Sequence, residues 1–203
     1  PPPVSVGPLG WVLMLLRGMT LATVVLVGLV ILLAIRLIER PLYGQGRPVT
    51  PHITQIVCKT AFWIMGLRRA VIGTPMRHRG AVVANHTSWL DIFSLNAAQR
   101  IYFVSKSEVA SWPGIGWLAK ATGTLFIERN PKHARKQTEV FQRRLLDNHR
   151  LLFFPEGTST DGLQVLPFKT TLFQSFFAPE LRDVIWVQPV TVLYTAPNGT
   201  DPR

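Results

Sequence analysis

The sequence predicts an α/β fold, a mixed sheet flanked by helices, preceded by an N-terminal membrane-embedded helix. Three observations predict it. A long apolar run fills much of the first forty residues. Beyond residue 70, short apolar runs alternate with longer amphipathic ones. Chemistry-bearing residues cluster just after two of the short runs.

The apolar run covers residues 11–35, and Arg17 is its only charge. Its uncharged part, residues 18–35, would span about 27 Å as a helix, close to the hydrocarbon thickness of a bilayer. Arg17 can snorkel from near one end. A signal peptide would have a shorter core and a small-residue cleavage site. Here Arg36, Glu39 and Arg40 follow instead. Basic residues continue downstream with Arg47, Lys59, Arg68 and Arg69, so the positive-inside rule expects the rest of the chain on the cytoplasmic face of the cell inner membrane. The lone Cys58 agrees with a reducing compartment, and it excludes an internal disulfide or an all-cysteine metal site.

Residues 41–51 hold three prolines and two glycines and read as a connector. Residues 51–67 read as a helix with Ile53, Ile56, Val57, Ala61, Ile64 and Met65 on one stripe, either interfacial or core. Strands are expected at 81–84, 101–105, 125–127, 151–154 and 184–187. Helices are expected at 88–98, briefly before 125, at 131–148 and at 172–177. The expected organisation is a tail at 1–10, the embedded helix at 11–38, a linker and interfacial helix at 39–69, and the main domain at 70–203. Opening on Pro1 and ending at Arg203, the chain is expected to be a piece of a longer protein, truncated at its C-terminus.

With 203 residues, the chain is too short for a multi-pass transporter carrying a soluble domain, and 47% hydrophobic residues argue against disorder. Lys and Arg number 22 against 11 Asp and Glu, a formal net charge of +11. Such a surplus suits nucleic acid or anionic lipid headgroups. No nucleic-acid motif is present, so membrane lipids are the expected partner.

The first chemical cluster is Asn85-His86-Thr87-Ser88-Trp89-Leu90-Asp91, where a strand gives way to a helix. Within one helix a spacing of five turns about 140° around the axis, so His86 and Asp91 would not face each other. With His86 in the preceding turn and Asp91 in the first helical turn, they can meet. The carboxylate then accepts from one imidazole nitrogen and leaves the other as a general base. Ser88 to Asp91 also fits a capping box, which would give Asp91 a purely structural task. No third ligand stands at a spacing that suggests a metal. The second cluster, Phe154-Pro155-Glu156-Gly157-Thr158, is a tight turn at a strand end, where ligands of open α/β sheets bind.

Taken in order, His86-x-x-x-x-Asp91, then Gly123-x-x-Phe126-Ile127-Glu128-Arg129, then Phe154-Pro155-Glu156-Gly157-Thr158, then Pro189 after a buried strand, resemble the glycerolipid acyltransferase family. The four blocks cover roughly residues 80–195. The resemblance implies that His86 is the catalytic base and Asp91 orients it. It implies that Arg129, Glu156, Gly157 and Thr158 serve the acceptor, with Gly123, Phe126 and Ile127 supporting, and that Pro189 belongs to an element linked to the acyl donor. Lys106 and Lys169 could meet an anionic headgroup or carrier, or be ordinary solvated lysines.

The implied reaction moves an acyl group from a thioester of acyl carrier protein or CoA to a lipid hydroxyl. The thioester is a co-substrate, and no bound cofactor or metal is needed. Backbone amides near Gly157 or after His86 are candidates for the oxyanion. Residues beyond Arg203 would complete the donor tunnel. Members that take a phosphate-bearing acceptor continue the third block with Arg-Ser, whereas this chain has Ser159-Thr160-Asp161-Gly162. Serine cannot replace a guanidinium that grips phosphate in two bonds. The run through Leu166-Pro167-Phe168-Lys169 resembles instead the bacterial lyso-ornithine lipid acyltransferases, whose acceptor carries no phosphate. Asp161 could meet the ornithine ammonium or simply form a turn. Two alternatives remain at this point: acylation of 1-acylglycerol 3-phosphate to phosphatidic acid, and a membrane lipid-binding protein without catalysis.

Overall fold

The computed structural model describes residues 6–128, 134–170, 173, 176, 181 and 183–195. The apolar run forms one helix, α1 (Pro8–Tyr43), starting with proline at its first position and continuing past Pro41. It therefore exceeds the expected segment at both ends. Its most apolar window has a mean hydropathy of 2.8 and is only 11% buried, so by length and composition it could cross a membrane. Most of its large apolar side chains, among them Leu16, Met19, Leu26 and Val30, are exposed.

Glu39 turns inward from α1 and is buried. Its carboxylate accepts the amides of Val49 (2.6 Å) and Thr50 (3.0 Å) and the Thr50 hydroxyl (2.7 Å). It thereby satisfies orphan donors at the start of α2 (Thr50–Met65), where negative charge is favoured. Gly28 lets the two helices approach closely, since a Cβ there would lie 2.4 Å from Val57 Cγ2. Arg17 is exposed. Its guanidinium lies against Gly66 at the end of α2 and donates to Met65 O at 3.5 Å. The other face of α2, through Cys58 and Phe62, packs on Ala97, Leu90 and Phe93 of α3 (Leu90–Ala98). The core option for α2 is thus realised on that face, while Trp63 and Ile56 stay exposed.

The sheet contains β1 (Gly80–Ala84), β2 (Tyr102–Lys106), β3 (Leu125–Ile127), β4 (Arg150–Phe153) and β5 (Trp186–Val190) in the order β3-β2-β4-β1-β5. A mixed sheet was the expectation; every described pairing is parallel. Side chains of the central strands alternate between two faces. Ala81, Leu151 and Phe153 meet Phe141 and Leu145 of α5 (Ala134–Leu146), whereas Val82, Ala84 and Leu152 meet Leu95 of α3. Continuous apolar runs such as Gly80-Ala81-Val82-Val83-Ala84 are therefore buried on both sides. Gly80 has φ +150, and a Cβ there would lie 1.9 Å from Trp186 O, so glycine is required where β5 docks. A 3-10 turn (Ser107–Ser111) and α4 (Ile115–Thr122) link β2 to β3. Most of the helix expected at 172–177, and the start of that expected at 131–148, lie outside the described residues.

His149, at the foot of β4, is buried. Its Nδ1 accepts from Arg144 Nε at 2.7 Å, and the same guanidinium lies 4.8 Å over the Tyr102 ring. Burial, then Arg144, Arg47 and Arg36, pull His149 down to about 4. Because the folded value lies below the unfolded value of about 6.5, only the unfolded chain takes up the proton on mild acidification. Stability should therefore fall as pH drops from about 6.5 toward 4, by about 2 kcal/mol between pH 7 and 5. His149→Gln, which keeps an acceptor for Arg144, should flatten that slope in denaturant titrations at the two pH values. An equal slope in both proteins would show that His149 is not its source.

Candidate active site

β1 and β4 are neighbours, so the loops leaving their C-terminal ends lie side by side. Asn85 follows β1 and copies a strand pairing with its side chain. Its Nδ2 donates to Val192 O (3.0 Å) and its Oδ1 accepts from Val192 N (2.7 Å). His86 comes next, its carbonyl held by Thr160 N at 2.9 Å. The His86 ring stacks on Phe154, with centroids 4.1 Å apart and planes 11° from parallel. The two sequence clusters are thus one site.

Asp91 lies in the first turn of α3 and is wholly buried. Its Oδ2 sits 2.7 Å from His86 Nδ1 and accepts the amides of Thr87 (2.7 Å) and Ser88 (2.9 Å). Oδ1 accepts the Tyr194 hydroxyl at 2.6 Å and the Thr87 hydroxyl at 3.4 Å. Ser88 Oγ in turn accepts Leu90 N at 3.2 Å. The capping geometry and the His–Asp contact are therefore both present, on one carboxylate. Burial pushes Asp91 up, but the bonds from His86, Ser88, Tyr194 and Thr87 outweigh it and hold the carboxyl below its ordinary range. Burial and the bond to Asp91 push Tyr194 strongly up, so its proton stays in place. An ionised carboxylate only accepts, which makes His86 Nδ1 the donor; in the neutral imidazole Nε2 then carries the lone pair. Nε2 has no hydrogen-bond partner among the described residues, and the side chain is 23% exposed.

Glu156 is buried, and its Oε2 accepts Leu166 N at 3.0 Å, which ties down the far side of the loop. Gly157 has φ +70, with its amide on Phe154 O at 3.0 Å, while Thr158 is exposed. Lys169 N bonds Pro155 O at 2.8 Å, and the Lys169 side chain runs beside Gly157. Asp161 is exposed and accepts Leu163 N at 2.9 Å, so the turn option is realised.

Phe126 and Ile127 pair with Ser105 and Lys106 at the same end of the sheet. Gly123 lies at the opposite end, where a Cβ would meet Arg47 Cζ at 2.9 Å. Pro189, expected after a buried strand, instead lies inside the largely exposed β5, pairing with Val83 at the edge of the described sheet, where proline is tolerated. Arg129 lies outside the described residues. Burial pushes the Cys58 thiol up to about 12, away from nucleophilic use. Among the described residues, no three His, Cys, Asp or Glu side chains are grouped to hold a metal. Tyr194 and the Phe154 ring contact went unforeseen. Tyr194 stands 103 positions from Asp91 with no local signal.

A family model described as Acyltransferase matches residues 68–192. The lyso-ornithine lipid O-acyltransferase of Rhodobacter capsulatus is 63% identical over 188 residues, covering 93% of this chain and 68% of that protein. That of Rhizobium meliloti is 36% identical over 197 residues, covering 94% and 65%. The chain thus spans about two thirds of the length of these relatives. A 1-acyl-sn-glycerol-3-phosphate acyltransferase of Neisseria meningitidis is 42% identical over 98 residues, covering 46% and 37%. The solved 1-acyl-sn-glycerophosphate acyltransferase of Thermotoga maritima shares the fold, with a TM-score of 0.50 and 21% identity over 86% of this chain and 83% of that one.

The bond to Asp91 fixes the His86 tautomer. Nitrogen-15 NMR at pH 8 should show Nδ1 protonated and Nε2 bare. Asp91→Asn, whose amide can also donate, should shift the ring toward the Nε2–H form. An unchanged tautomer in the variant would remove Asp91 from that task.

Proposed function

The chain belongs to the acyltransferase family, and from that premise we propose that it moves a fatty acyl group from a thioester to the hydroxyl of a lysolipid. The observation that carries the mechanism is His86 with Nδ1 on ionised Asp91 and Nε2 open at the strand ends. Nε2 takes the proton of the acceptor hydroxyl as its oxygen attacks the thioester carbonyl carbon. The tetrahedral intermediate then expels the thiolate, breaking the C–S bond, and the imidazolium returns the proton to sulfur. No acyl-enzyme forms. Asp91 acts as a positioning residue that stabilises the imidazolium, and Tyr194 holds Asp91 in turn. The amides of Thr87 and Ser88 serve Asp91 and that of Gly157 serves Phe154 O. Candidate donors for the oxyanion are the amides of Thr158 and Ser159 and that of Trp89 after His86, which make no hydrogen bond among the described residues.

The acceptor in this reading is lyso-ornithine lipid, acylated to ornithine lipid. Ser159 stands where phosphate-acceptor enzymes carry arginine, and relatives named for that activity match along nearly the whole chain. The donor is a thioester of acyl carrier protein or CoA. In this reading the site works at the cytoplasmic face of the inner membrane, a location supported by the apolar length of α1 and by the basic residues after it. The match to 1-acyl-sn-glycerol-3-phosphate acyltransferases favours a second reading, with 1-acylglycerol 3-phosphate as acceptor.

The test offers labelled acyl carrier protein thioester, and separately the CoA thioester, with each acceptor in mixed micelles. Transfer to lyso-ornithine lipid is expected, and His86→Ala should lower it by about a thousandfold or more with the fold retained. Transfer to 1-acylglycerol 3-phosphate alone would establish the second reading. Undiminished transfer by His86→Ala would overturn the mechanism.

A further inference from the structure

At the N-terminal ends of β2 and β3, the opposite end of the sheet from His86, α1 and α4 enclose an open cavity of about 540 Å³. Its α1 wall is one helical stripe, apolar at Leu29 and Leu33 and cationic at Arg36 and Arg40. Trp117 and Lys120 of α4 form the facing wall, and Arg47 from the connector lies between them. Arg47 Nη1 is anchored on Ala121 O at 2.6 Å, and its guanidinium passes over Gly123, where a Cβ would lie 2.9 Å from Cζ. Arg36 is anchored on Gly44 O (2.6 Å) and Gly46 O (2.8 Å).

The charges here do not balance. Four cations line the cavity, and Arg144 stands behind it with Nη2 on Gly123 O at 3.0 Å. The nearby carboxylate, Glu39, binds Val49 and Thr50 and pairs with Arg36 at 3.6 Å, which leaves Arg40, Arg47 and Lys120 without an ion-pair partner among the described residues. Burial, then Arg36 and Arg144 among the surrounding charges, pull Arg47 down to about 10, so it remains cationic at neutral pH while repelled by its neighbours. Arg40 and Lys120 are exposed and have no hydrogen-bond partner among the described residues. A half-buried cation among like charges is costly unless an anion meets it. Leu29, Leu33 and Trp117, which is 70% exposed, make the other half of the cavity apolar. Inorganic phosphate would use only the cationic half.

We propose that this cavity binds one anionic phospholipid, its phosphate against Arg40, Arg47 and Lys120 and an acyl chain along Leu29 and Leu33. The bound lipid is neither acceptor nor product, because it lies at the far end of the sheet from His86. The site requires α1 to meet a bilayer and is independent of which acceptor the enzyme uses. It docks the connector and α4 on the membrane surface through one defined lipid rather than through diffuse charge.

The test reconstitutes the full chain in nanodiscs of phosphatidylcholine with a minority of phosphatidylglycerol and reads retained lipid by native mass spectrometry. One phosphatidylglycerol should stay on the wild type. The pair Arg40→Gln with Lys120→Gln removes two exposed side chains and should lower its occupancy about tenfold or more. A control pair, Arg68→Gln with Arg69→Gln, lowers the net charge equally on exposed residues outside the cavity and should retain the lipid. Equal loss in both pairs, or equal retention of phosphatidylcholine, would overturn the site. A second arm measures thermal midpoints in detergent. Phosphatidylglycerol should protect the wild type and millimolar inorganic phosphate should not. Protection by phosphate as large as that by lipid, lost in the Arg40/Lys120 pair, would assign an anion site and overturn the lipid.

Discussion

A fully buried carboxylate is stable only when its oxygens are saturated, and the Asp91 carboxylate is met from three parts of the chain. The turn after β1 supplies the His86 ring and the Thr87 and Ser88 amides, the segment after β5 supplies Tyr194, and the start of α3 supplies the carboxylate itself. Each donor favours the ionised form, and together they outweigh the burial that opposes it. The helix N-terminus adds in the same direction. Structure and chemistry therefore coincide here. The interaction that joins the β1–α3 turn to the chain after β5 also decides which imidazole nitrogen is bare.

That constraint extends to the second loop through sheet order. β4 lies beside β1 although about seventy residues separate them, so Phe154 comes to lie against the His86 ring. A flat stacked ring, a carboxylate on Nδ1 and a carbonyl held by Thr160 leave the imidazole little rotational freedom. Such preorganisation suits the role proposed for His86, a base that receives and returns a proton within one turnover. Glu156 contributes at one remove by holding Leu166, and Gly162 by lying against Thr87, where a Cβ would come within 2.9 Å of Cγ2.

Legibility in the sequence follows how local the signal is. The central strands β1 and β4 announce themselves as short apolar runs because both faces are buried, whereas β5, expected at 184–187, lies at Trp186–Val190 and is largely exposed; the described helices match the periodic segments. His86 and Asp91 could be paired from spacing alone, since five residues across a turn and a first helical turn bring them together. Strand direction could not be read, because β1 and β4 meet only through tertiary packing. Tyr194 was invisible for the same reason: its partner is set by β5 docking on β1, and a lone tyrosine after a strand carries no period or motif. The contact of Arg17 with Met65 O was not legible either, since 48 residues separate the two.

The same packing joins the apolar helix to the chemistry. α2 lies against α1 on one side and α3 on the other, with Gly28 permitting the first contact and Cys58, Phe62 and Ala97 making the second. α3 carries Asp91 at its N-terminus and keeps Trp89 and Ile92 exposed beside the site. In the proposed reading the lysolipid keeps its acyl chain in the bilayer, and the enzyme brings an oriented base to that surface. Packing of α1 on α2 and of α2 on α3 links the two, so that in that reading the depth of α1 in a bilayer would set the height of His86 above it.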